Sequence, residues 1–77
     1  MIHAYVFITT RKAEERQVTD TIGEIPTVRA AHVITGNIDV VAFIEAADLG
    51  ALWDTVNQIQ AVSGVTRTTT SVVVEPL

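Results

Sequence analysis

The chain contains no cysteine, so no disulfide can brace it. It has only two histidines, His3 and His32, and no metal-type spacing joins either to a carboxylate, so no metal site is expected. The two serines, Ser63 and Ser71, stand at a helix end and within a strand, and no G-x-S-x-G elbow surrounds either. With cysteine also absent, nucleophilic catalysis finds no support. No glycine-rich phosphate loop is present, and no cofactor is expected. Positive charge is scarce too. A net charge of −4 and a pI near 4.8 argue against a phosphate-tracking surface, so no nucleic-acid partner is expected. No apolar run approaches the roughly 20 residues of a membrane span. No charged-then-apolar leader opens the chain, which makes the cytoplasm the expected compartment.

What is present is hydrophobic: 48% of 77 residues. A chain of this size buries only about 60% of the surface that its unfolded form exposes. With disulfides and metals removed from consideration, association is the remaining source of stability, and an obligate oligomer is expected.

Residues 2–9, IHAYVFIT, are β-branched and aromatic and read as a buried strand. The following TTRKAEERQVTDTIGEI places Val18, Ile22 and Ile25 at helical spacing, with Lys12, Glu15, Arg16 and Asp20 on the wet side. Gly23 and Pro26 end that helix. Residues 27–35 and 39–46 are strands joined by a short hairpin, in which Gly36 supplies a positive φ and Asn37 tolerates the next position. Asp48 is positioned as the N-cap of a second helix, with Leu49, Leu52, Trp53, Val56 and Ile59 as its apolar stripe. Ser63-Gly64 breaks it, and residues 65–75 form the last strand.

The order is β-α-β-β-α-β in a single domain, residues 1–77. It predicts an α+β fold of the ferredoxin-like kind, a four-stranded antiparallel sheet with both helices on one face. The first strand is nevertheless apolar on both faces, with Ile2, Ala4, Val6 and Ile8 opposite Tyr5 and Phe7. The third repeats this, with Val41 and Phe43 opposite Val40, Ala42 and Ile44. The uncovered face is expected to meet a second copy of the same sheet, giving a dimeric α+β barrel. An RNA-binding domain shares this strand order, but the third strand offers only Phe43 and carries Glu45.

Few residues invite chemistry. His3 and His32 are isolated within strands and read as hydrogen-bonded structural histidines, while Tyr5 and Trp53 occupy core-type positions. In RTTT, alternation puts Thr68 and Thr70 on one face and Arg67 and Thr69 on the other. Those paired hydroxyls can serve β-propensity alone or bind a polar ligand. Asp39 follows the turn. Its carboxylate can bond turn amides, or pair with a ligand ammonium while free turn N–H groups receive a carboxylate. Together those features suit a zwitterionic amino acid.

VITGNIDVV, a Leu/Trp helix and then VSGVTRTTTSVVV resemble the effector-binding (RAM-type) domain of Lrp/AsnC transcription regulators, over essentially the whole chain. The telling elements are G-x-x-D, here Gly36 and Asp39, and G-V-x-R-T-x-T, here Gly64, Val65, Arg67, Thr68 and Thr70. The resemblance implies a domain that dimerises through its sheets and assembles into higher oligomers, with amino acids bound between dimers. It implies a ligand site at Gly36, Asn37, Ile38 and Asp39, with Thr68 and Thr70 nearby. Full-length members carry an N-terminal helix-turn-helix, whereas this chain opens on its first strand. That implies a stand-alone effector domain without a DNA-binding domain, whose partners include full-length regulators of the family. Two alternatives stand beside this one. The first is a dimeric α/β-barrel enzyme of monooxygenase or isomerase type, using His3 or His32. The second is a ligand-independent assembly partner of full-length regulators.

Overall fold

A computed structural model, describing residues 1–74, shows six elements in the expected order: β1 (Ile2–Thr10), α1 (Glu15–Gly23), β2 (Val28–Val33), β3 (Val40–Ala46), α2 (Leu49–Gln60) and β4 (Val65–Val72). The sheet order is β2-β3-β1-β4, and all three pairings are antiparallel. This is the ferredoxin-like α+β arrangement. Each crossover skips one strand, and a right-handed path returns both helices to the same face.

The core lies between that face and the helices. Ala4, Val6 and Ile8 of β1 and Val40, Ala42 and Ile44 of β3 meet Val18 and Ile22 of α1 and Leu52, Val56 and Ile59 of α2. Thr55 is the one buried polar side chain among the described residues. Its hydroxyl bonds the Ala51 carbonyl oxygen at 2.9 Å and the Thr27 hydroxyl, so the polar group enters the core satisfied.

Local signals account for most boundaries. Asp48 caps α2, its Oδ1 accepting from the Ala51 N–H at 2.8 Å. The first helix is shorter than its sequence pattern. It starts only at Glu15, because Ala13 adopts a positive φ of 69° and the chain turns there, with the Ala13 N–H donating to Glu15 Oε1. Ile25 lies beyond the helix, half-buried against the core. Between β2 and β3 the reversal takes six residues, 34–39, rather than a tight turn. Gly36 has the expected positive φ, at 110°, but Asn37 does not share it. The Val73 N–H still donates to the His3 carbonyl beyond β4; the expected strand end at residue 75 lies outside the described residues.

The apolar stripe of α2 is narrower than expected. Leu49 is 57% exposed and Trp53 61%. At 100° per residue they stand about 60° and 100° round from Leu52, which turns both onto one flank while Leu52, Val56 and Ile59 take the core. Tyr5 is also outside the core, 43% exposed on the uncovered sheet face.

Two glycines have positive φ for different surroundings. A Cβ on Gly64 (φ 101°) would lie 2.7 Å from Glu14 Oε1 and 2.9 Å from Val18 Cγ2; one on Gly36 would meet nothing within 4 Å. Gly36→Ala is therefore expected to cost only the backbone penalty, about 1–2 kcal/mol. Gly64→Ala is expected to add roughly 1–3 kcal/mol for displacing its neighbours. Urea denaturation of both variants measures the difference, and equal losses would show that α1 does not pack against Gly64 as described.

Candidate functional site

The loop from Ile34 to Asp39 ends in a residue that is tied to β1 twice. The Asp39 N–H donates to the Ile8 carbonyl at 3.0 Å, and Asp39 Oδ2 accepts from the Thr10 N–H at 2.8 Å. The last registered β1–β3 pair is Ile8 with Val40, so beyond it a side chain takes over from the backbone ladder. The loop closes on itself where the Ile34 N–H donates to the Asp39 carbonyl at 2.9 Å. Asp39 and Ile38 are half-buried, whereas Gly36 and Asn37 are exposed. Among the described residues Asp39 Oδ1 makes no hydrogen bond, so the carboxylate is fixed through one oxygen and presents the other.

Thr68 and Thr70 lie across β1 from this loop. Thr68 pairs with Ile8 and Thr70 with Val6, so both hydroxyls share the helix-covered side of the sheet, at its β4 edge. Ile8 thus stands between Val40, which follows Asp39, and Thr68. Two strand spacings, about 10 Å, separate the two sides. They occupy one end of the sheet without converging on a single cavity. Thr68 Oγ1 accepts from Gln60 Nε2 at 3.0 Å, and the two line an open groove of about 370 Å³ with Val65, Thr66 and Arg67. Gln60 and Thr10 are the residues that sequence reasoning missed. Nothing in their spacing marks them, since both act through strand pairing and helix docking.

A second surface is the uncovered face of the sheet. His3 stacks on Phe43 (centroids 5.6 Å apart, planes 7° apart), Phe43 meets Tyr5 at 5.1 Å, and Tyr5 meets Phe7 at 6.5 Å. A groove of about 590 Å³ runs over His3, Tyr5 and Phe43 towards Val73 and Val74. His3 does have a carboxylate partner, 42 residues away in sequence: its Nε2 lies 2.9 Å from Glu45 Oε2. Glu45 Oε1 accepts from Arg29 Nε at 3.1 Å. The hydrogen bond from His3, with a smaller contribution from Arg29, holds the Glu45 carboxyl below the usual carboxylate range against the opposing effect of burial. Among the described residues no group of three or more His, Asp or Glu side chains could hold a metal ion, and no helix is long and apolar enough to cross a membrane.

Against known proteins, the family model described as the Lrp/AsnC ligand binding domain matches residues 3–77. A comparison with the curated proteins gives no significant match. Among solved structures, TTHA0845 from Thermus thermophilus is similar at 33% identity and a TM-score of 0.95, over 100% of this chain and 98% of that one. The hypothetical protein PHS023 from Pyrococcus horikoshii has 23% identity and a TM-score of 0.90, over 99% and 93% of the two chains. The transcriptional regulator NMB0573 of Neisseria meningitidis, solved as its L-Met complex, has 22% identity and a TM-score of 0.83, over 96% of this chain and 50% of its own. The chain therefore spans about half the length of that regulator, and nearly all of the first two proteins. With the fold, the G-x-x-D hairpin and a family match over almost every residue in agreement, this chain belongs to the Lrp/AsnC ligand-binding domain family.

Proposed function

We propose that this domain binds a small amino acid in an oligomer of sheet-paired dimers, with the ligand seated between dimers at the Gly36–Asp39 loop. The observation that carries the reading is the state of Asp39, whose carboxylate is anchored by the Thr10 N–H and keeps one oxygen for a ligand ammonium. Gly36, Asn37 and Ile38 supply loop backbone to the ligand carboxylate, and Thr68 and Thr70, with Gln60, across β1 from that loop, offer polar contacts to a ligand held at a neighbouring dimer's loop. The L-Met complex of the Neisseria meningitidis regulator supports an amino acid as the ligand class. As a member of a regulatory ligand-binding family, the chain is not an enzyme.

The dimer reading rests on the uncovered face. Tyr5, Phe7, Val41 and Phe43 form a continuous apolar and aromatic patch on the two central strands. A second copy related by a two-fold axis would bury it. The loop and the β4 groove lie at a sheet end, which such a dimer leaves available to a neighbouring dimer. Binding there would couple ligand to assembly, because a ligand favours whichever oligomer completes its cleft.

A thermal-shift screen of the purified protein against the standard amino acids at millimolar concentration is expected to raise the midpoint for a few related members only. A flat panel would remove the sensor reading and favour a ligand-independent assembly partner of full-length regulators. Asp39 can then be divided into its two tasks. Asp39→Asn keeps an amide oxygen for the Thr10 N–H and removes the charge, so it is expected to lose the ligand-induced shift while leaving unliganded stability nearly intact. Asp39→Ala strands the Thr10 N–H and is expected to cost about 1–3 kcal/mol as well. An Asp39→Asn protein that still responds to ligand would take the carboxylate out of the site.

A further inference from the structure

The β1–β4 ladder breaks register beside the loop. Thr9 pairs with Arg67 and Thr10 with Val65, so Thr66 is the extra residue of a bulge in β4. Strict alternation would put its side chain with those of Thr68 and Thr70. The bulge instead brings Thr66 Oγ1 to 2.9 Å from Thr9 Oγ1, and the same hydroxyl donates to the Thr9 carbonyl oxygen at 3.1 Å. That carbonyl belongs to the peptide group whose N–H, on Thr10, donates to Asp39 Oδ2 at 2.8 Å. One planar peptide group is therefore held at one end by Thr66 and at the other by Asp39.

We propose that Thr66 is a positioning residue for the ligand site: its hydroxyl, acting through the Thr9–Thr10 peptide, aims the N–H that fixes the Asp39 carboxylate. This rests on the reading of Asp39 above and adds the residue that sets its direction. Counting protons gives the relay one sense, because each hydroxyl has a single proton. Thr66 gives its own to the Thr9 carbonyl, so Thr9 Oγ1 donates to Thr66 Oγ1; its other acceptor, the Arg67 carbonyl, is farther off at 3.5 Å. A donor on the carbonyl oxygen polarises the peptide and strengthens the bond made by its N–H, so each link supports the next. The two ends are also coupled mechanically. The carbonyl cannot turn without swinging the N–H away from Asp39 Oδ2.

Thr66 also lines the β4 groove with Gln60 and Thr68, two strand spacings from the loop. The fourth strand thereby contributes to the loop site without reaching it. Both threonine bonds lie at the surface, where water competes for the hydroxyls, so their loss acts on the aim of Asp39 more than on folding. A neutral bond of this kind corresponds to a factor of about three to ten in affinity.

Thr66→Val keeps the branched shape and the strand preference while removing the hydroxyl, and Thr66→Ser keeps the hydroxyl. In the unliganded protein, heteronuclear NMR reads the Thr10 amide proton and its exchange rate. In Thr66→Val that proton is expected to move upfield and to exchange about threefold faster or more. Thr66→Ser is expected to match the wild type, and the Phe43 amide, farther along β3, to stay unmoved in both. A Thr10 amide that is unmoved in Thr66→Val, or moved equally in Thr66→Ser, overturns the proposal. Titration of the standard amino acids against all three proteins reads the consequence. Those that bind the wild type are expected to bind Thr66→Val about three- to tenfold more weakly and Thr66→Ser about as well. Unchanged affinity in Thr66→Val overturns the positioning role. A wild type that binds no amino acid overturns the ligand reading of Asp39 and the positioning role with it; that failure is told apart because the Thr10 amide still moves in Thr66→Val.

Discussion

Two crossovers place both helices of this domain on one face of a sheet whose central strands are apolar on both. That constraint governs the rest. The alternation in β1 sends Ala4, Val6 and Ile8 under the helices and leaves Tyr5 and Phe7 on the other side, with Phe43 and Val41 beside them on β3. An antiparallel sheet facing water would carry polar residues there. In a chain of 77 residues the core beneath the helices is small, and the second apolar face is what remains to be covered. In the proposed dimer, stability and association are therefore two aspects of one hydrophobic requirement, and any ligand that acts on assembly acts on stability as well.

The part of this arrangement that follows from period and punctuation was legible in the residues. Strand alternation sorted the two faces of β1 and β3, Asp48 announced the start of α2, and Gly64 marked the return to β4. Long-range pairings were not legible. Asp39 finds the Thr10 N–H 29 positions away and His3 finds Glu45 42 positions away, through strand register that no local spacing encodes. Trp53 failed for another reason. A stripe of i, i+3, i+4 positions fixes the side of a helix that faces inwards, but the breadth of the buried arc depends on what lies beneath it. Against this sheet, only Leu52, Val56 and Ile59, with Thr55, are buried.

The candidate site shows how a structural demand and a binding capacity occupy one residue. A turn between β2 and β3 is required by the hairpin whatever the function, and Gly36 meets the backbone part of that requirement. The carboxylate of Asp39 then replaces the missing ladder bond to Thr10, which holds the loop against β1. A carboxylate fixed by one oxygen has lost most of its rotamer freedom before a ligand arrives, so less ordering remains to oppose binding. On the proposed reading, the structural bond is what makes the ligand contact efficient.

On the proposed reading, the same end of the sheet also explains why assembly and binding belong together. Asp39 and the Thr68–Gln60 pair flank β1 about 10 Å apart, too far for one amino-acid backbone to engage both as a closed pocket. Each presents polar groups to the outside of the subunit. A ligand held at the loop therefore keeps an exposed side, and a neighbouring dimer that covers it gains contacts which the empty assembly lacks. By reciprocity, whatever free energy the neighbour adds to ligand binding, the ligand adds to the neighbour's docking. On the proposed reading, a domain built this way reads an amino-acid concentration as a change in its own association.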